Sequence, residues 1–99
     1  ETVLVATKED NLDEVRIYLG VSYLIENNTT TAKDIFKEVN ENGKTKMYID
    51  ASDWYMALSL LKEKEIASAR KILRKIAHAK KHRYKTQAAK LLPKLEQYK

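Results

Sequence analysis

Cysteine is absent from the 99 residues, which excludes a disulfide scaffold, a cysteine nucleophile and a thiolate metal site. It leaves the redox compartment open. Proline occurs once and glycine twice, too few for the turns of a β-sandwich or barrel, so helices are favoured. No apolar run approaches the roughly 18 residues of a membrane span, and no signal peptide is visible. Glycine-rich phosphate loops are missing as well. With 43% hydrophobic and 33% charged residues, the composition is too apolar for disorder. The length holds one domain, since domains commonly run to roughly 100–150 residues. The chain opens on Glu1 and not on methionine, which implies a fragment of something longer.

Acidic residues are scarce in the second part of the chain. Residues 1–61 carry six Lys/Arg and eleven Asp/Glu, whereas residues 62–99 carry thirteen and three, so a net +5 conceals halves of −5 and +10. A basic patch of Lys71, Arg74, Lys75, Lys80, Lys81, Arg83 and Lys85 could attract nucleic acid, an anionic surface or an acidic partner. No RNA- or DNA-reading motif accompanies it, and the plainer reading is a solvated helical face. The same dipole favours head-to-tail association of copies.

Apolar residues recur at helical spacing almost throughout. Val15, Leu19 and Tyr23 step by four, capped by Asn11 or Asp13 and ended by Asn27-Asn28. A second helix, from Thr30 or Thr31 to Asn40, has the apolar face Ala32, Ile35, Phe36 and Val39. Asn40-Glu41-Asn42-Gly43 reads as a helix end and turn. A third helix spans about Tyr48 to Glu63, and its wide apolar arc predicts a helix sandwiched between neighbours. A fourth runs from about Glu65 to Ala79. A fifth starts near Arg83, and Pro93 should kink it or start a new turn. Thr2 to Thr7 reads as a short helical remnant.

An internal repeat appears at a spacing of 37. Leu19-Gly20-x-x-Tyr23 aligns with Met56-Ala57-x-x-Leu60, Ala32-x-x-x-Phe36 with Ala69-x-x-x-Leu73, and Val39 with Ile76. Small residues at Gly20 and Ala57 suit two helices crossing closely, with the large residue filling the adjoining groove. This pattern resembles the tetratricopeptide repeat. Within that family it looks like the soluble helical domains of bacterial, Bacteroidetes-like proteins often tethered by a single membrane span.

The resemblance implies an all-α fold of about five to six helices, with antiparallel hairpins stacked as a right-handed superhelix. Residues 13–46 would form repeat one, residues 50–81 repeat two and residues 83–99 a capping helix. Residues 1–10 would be the remnant of a preceding repeat. The family's usual Trp position holds Arg16 and Asp53, and its inter-repeat proline is replaced by Lys44 and Lys81. The three extra residues of the period are assigned to the Asn40–Lys46 connection.

The catalytic inventory is thin. Ser22, Ser52, Ser59 and Ser68 all fall inside predicted helices without a glycine elbow. Asp50 and Asp53 lie three apart near a helix start, where they suit the helix dipole. His78 and His82 are four apart and could share a face for a metal. The cations around them and the lack of an adjacent carboxylate argue instead for surface histidines. Neither an enzyme, a metal nor a cofactor is expected.

The resemblance implies a protein- or peptide-binding scaffold whose first helices line a concave groove. Ile17, Tyr18, Val21, Trp54, Tyr55 and Leu58 would supply its apolar part, with Lys62 at the margin. Nucleic-acid binding by the basic half is a second class of function. Self-assembly through Val3, Leu4 and Val5 is a third, and tethered relatives suggest a bacterial cell envelope.

Overall fold

The computed structural model describes residues 9–97. The remnant expected over residues 1–10, and the surface expected from Val3, Leu4 and Val5, therefore lie wholly or almost wholly outside the described residues. Five helices follow in order: α1 (Glu9–Ile25), α2 (Thr29–Asn42), α3 (Lys46–Lys62), α4 (Ile66–His78) and α5 (Lys85–Leu95). Each packs on the next, and α1 also touches α3. This is an all-α fold of consecutive helical hairpins, packed as in a helical repeat. Among the described residues no helix is long and apolar enough to cross a membrane.

The 37-residue spacing survives in the backbone. α1 and α3 begin and end 37 residues apart, and α2 and α4 begin 37 apart. Both hairpin turns have the same form. Asn27 and Lys64 adopt left-handed φ values of 68° and 64°. In the first turn Asn27 N–H donates to Leu24 O and Asn28 N–H to Tyr23 O. In the second, Lys64 N–H donates to Leu61 O and Glu65 N–H to Leu60 O. Each pair closes the helix C-terminus as a Schellman motif, satisfying carbonyls that would otherwise be orphaned. α2 continues to Asn42, so only residues 43–45 separate it from α3.

Gly20 is where the first hairpin closes. A Cβ placed on it would lie 2.5 Å from Cε1 and 2.8 Å from Cζ of Phe36. The Phe36 ring is completely buried there and stacks on Tyr55, with centroids 5.7 Å apart. In the second hairpin Ala57 and Leu73 replace this pair, both fully buried. The larger residue stays on the second helix, but volume has shifted from it to the first while the site stays filled, as close packing requires.

Two core clusters result. Ile17, Leu24, Ala32, Phe36, Val39 and Ala51 form the first; Ala57, Leu73, Ile76, Ala88 and Leu95 form the second. Tyr84, just before α5, packs against both. As the wide apolar arc of α3 predicts, that helix is covered on several sides, and of its residues only Lys46, Met47 and Lys62 are exposed. Pro93 does not end α5. It sits in the last turn, and the helix continues to Leu95. The hydrogen bond that Pro93 cannot donate would go to the carbonyl of Ala89, whose exposed position is open to water.

Two stability measurements test this account. Gly20→Ala should cost about 1–2 kcal/mol, because overpacking outweighs the gain of about 1 kcal/mol in helix propensity. Adding Phe36→Leu, which copies the Ala57–Leu73 pair, should recover most of the loss. A double-mutant cycle by urea unfolding reads this as a coupling of at least about 1 kcal/mol. Lys64→Gly should stabilise the chain by about 0.5–1 kcal/mol, since glycine adopts the left-handed turn without strain.

Candidate functional site

Outside the two cores, the densest polar cluster lies where the connection between α4 and α5 crosses α3. Asp50 and Asp53 stand one turn apart inside α3, and both are buried. They do not cap the helix start as their position in the sequence implies. Asp50 takes the Lys46 ammonium on both oxygens, at 2.7 and 2.8 Å, and accepts the Arg83 backbone N–H at 3.0 Å. Asp53 Oδ1 accepts from Lys75 Nζ at 2.9 Å and from Asn40 Nδ2 at 2.8 Å. His82, in the connection, places Nε2 3.0 Å from Asp53 Oδ2 and 3.6 Å from Asp50 Oδ1.

The tautomer of His82 follows from its other nitrogen. Nδ1 accepts the Tyr84 backbone N–H at 3.1 Å, so the proton resides on Nε2 and is donated to Asp53. The ring thus joins the loop to α3 through both nitrogens. Burial acts to raise the pKa of Asp50. The Lys46 hydrogen bond and the Arg83 N–H outweigh burial and hold the carboxyl below its ordinary value.

One atom from each of Asp50, Asp53 and His82 falls within 4.8 Å of the others, close enough to hold a metal ion. The donors are already engaged, however. Lys46 and Lys75 neutralise the two carboxylates, and both imidazole nitrogens have partners. An ion would have to displace an ammonium and strip the proton from Nε2. The arrangement suits a structural tie between α2, α3, α4 and the following loop better than a metal centre. Nor does Ser52 supply a nucleophile. Its hydroxyl donates to Ile49 O and accepts from Asn40 Nδ2.

The first hairpin has a simpler version of this tie, 37 residues earlier. Asp13, buried in α1 and not capping it, accepts the Lys44 and Thr45 N–H groups at 2.7 and 2.9 Å. Gly43 allows the close approach: a Cβ there would lie 2.5 Å from Val39 O and 3.3 Å from Asp13 Oδ2. At the opposite end, Glu63 accepts from Lys33 Nζ at 2.7 Å and from Thr29 Oγ1 at 2.5 Å. Those hydrogen bonds depress its pKa. Arg70 and Arg74 approach Glu96 in the same manner.

The expected groove residues divide. Tyr18 is 65% exposed, its hydroxyl 3.1 Å from Glu14 Oε2. The carboxylate that accepts this hydrogen bond raises the pKa of the phenol. Val21 and Leu58 are half-buried and Lys62 is exposed. Ile17 belongs to the first core and offers no surface. Trp54 stacks on Tyr84 with centroids 5.3 Å apart, and Tyr55 lies between Phe36 and the edge of Tyr84. These three are packing residues, because the adjoining helices cover the side of each first helix on which they lie. Ile25, 72% exposed about two helical turns beyond Tyr18, and Met47 are surface residues that the apolar periodicity does not single out.

All seven expected cations of the basic patch are exposed. Arg74 pairs with Glu96 and Lys75 with Asp53, while Lys85 Nζ donates to Ala79 O. His78 and His82 are not brought together on one face. His78 ends α4 at the surface, and His82 lies beyond it in the carboxylate cluster. The anchors Asp13 and Asp50 went unrecognised although they obey the 37-residue spacing already visible in the apolar residues.

No family model matches the chain, and no curated protein or solved structure matches it either.

Asp50→Asn should destabilise the chain by about 2–3 kcal/mol at pH 7, since it breaks a buried ion pair. The folded-state pKa of Asp50 lies below its unfolded value, so its stabilisation is present above the unfolded value, near pH 4. It is lost as pH falls through the folded one. The gap between wild type and variant should therefore shrink steadily on acidification from pH 5 to pH 2, measured by chemical unfolding.

Proposed function

We propose that this chain is a scaffold of tetratricopeptide type that binds a segment of a protein partner along the exposed stripe of its first helices, without catalysis. The stripe runs through Tyr18, Val21 and Ile25 of α1 and continues on α3 to Leu58 and Lys62, the repeat equivalents of Val21 and Ile25, whereas Tyr55, the equivalent of Tyr18, is taken up in packing. Supporting this reading are the stacked hairpins, the Gly20 and Ala57 crossings and the aromatic residues at helical spacing. The observation that carries it is Tyr18, a large aromatic standing 65% exposed in the middle of a helix. Tyrosine combines a wide contact area with a polar tip at small entropic cost, which makes it an effective anchor. A helical repeat holds such residues rigidly before the partner arrives, so little ordering remains to oppose binding.

Peptides selected from a random library against the wild-type chain provide the test. Their affinity, read by fluorescence polarisation, should fall at least about tenfold for Tyr18→Ala and further for Tyr18→Ala with Ile25→Ser. Both residues are exposed, so circular dichroism should show unaltered helix. Binders insensitive to both substitutions would remove the assignment.

A further inference from the structure

The repeat relation has a counterpart on the outer surface of the first hairpin. Arg16, Leu19, Thr31, Asp34, Ile35 and Glu38 line a cleft of about 270 Å³ between α1 and α2. Moved along the chain by 37 residues, Arg16, Leu19, Ile35 and Glu38 become Asp53, Met56, Ile72 and Lys75. Those four line the cleft at which the second hairpin meets Lys37 and Asn40 of α2. In the second hairpin, then, this surface receives a helix of the neighbouring repeat. In the first no helix among the described residues covers it, and Leu12 and Leu19 are exposed at 42% and 46%.

Charge identifies the occupant. Residues 9–42, the open hairpin, contain eight Asp/Glu and three Lys/Arg; residues 66–95, spanning α4 and α5, contain ten Lys/Arg and no acidic residue at all. Of those ten, only Arg70, Arg74 and Lys75 pair with a carboxylate among the described residues. Asp34 and Glu38 flank this cleft opposite the single cation Arg16, and neither is in an ion pair among the described residues. The two surfaces are complementary in sign and lie at opposite ends of the row of hairpins.

We propose that the outer face of the first hairpin docks onto the basic α4–α5 face of a second copy of this chain, head to tail. α4 is the repeat equivalent of α2, the helix that covers this surface within the chain, so the copy supplies a helix of the matching kind. Such a contact uses different patches on the two partners and leaves one of each free, so it extends into open oligomers. The opposed charges make the association sensitive to salt. Tyr18 and Ile25 lie on a separate stripe and take no part.

Sedimentation velocity across roughly 10 μM to 1 mM tests the proposal. The weight-average mass of the full chain should climb continuously with concentration at low salt and fall back toward the monomer at high salt. Asp34→Lys with Glu38→Lys should abolish the growth, as should Lys71→Glu with Lys90→Glu. Circular dichroism confirms that each variant folds. Mixing the two variants should restore association, because each then carries a face opposite in charge to one on the other. A chain that stays monomeric throughout, or folded variants whose mixture does not associate, would overturn the proposal. So would a basic face that binds a DNA duplex while the chain remains monomeric.

Discussion

The separation between paired helices depends on a single close approach, the Phe36 ring lying where a side chain on Gly20 would be. From that contact the rest follows. It sets how near α1 and α2 come, it places Phe36 against Tyr55 of α3, and so it positions the next hairpin. The second hairpin meets the same demand with Ala57 and Leu73. What the repeat preserves is the summed volume at the crossing, not the identity of either residue.

Packing alone leaves the connections between hairpins undetermined, and these are set by carboxylates. Asp13 gathers two backbone N–H groups of the short connection over residues 43–45. The connection from α4 to α5 is longer, covering residues 79–84, and the larger cluster around Asp50, Asp53 and His82 holds it. Each buried charge there has a partner of opposite sign and further hydrogen bonds, the condition under which burying an ion pair is tolerable. The result aims α5 so that Tyr84 and Ala88 reach the core.

The architecture was readable in the sequence because helices announce themselves through spacing. Gly20, Ala32 and Phe36, and then Ala57, Ala69 and Leu73, reveal the crossings because close contact demands small residues at fixed intervals. Of the carboxylate ties only the 37-residue spacing of Asp13 and Asp50 leaves a trace in the sequence. Three of the groups that Asp50 and Asp53 bond to are 22 to 33 residues away, and one of those is the Arg83 backbone N–H, which no side chain identifies. The groove was legible only in part. An apolar residue on a first helix can point toward solvent or toward its neighbour, and the crossing geometry decides which. Tyr18 escapes to the surface, while Ile17 and Tyr55, on similar helices, do not.

Tyr84 has a further meaning for how the molecule comes apart. Its ring is shared between the two apolar cores, pressed flat on Trp54 and meeting Tyr55 at its edge. Arrays of repeats can fray from their ends, each unit melting nearly on its own. Here the residue that leads into α5 is keyed into both hairpins, so pulling α5 away with Tyr84 disturbs both cores at once, and a loss at that helix is felt at the middle of the row.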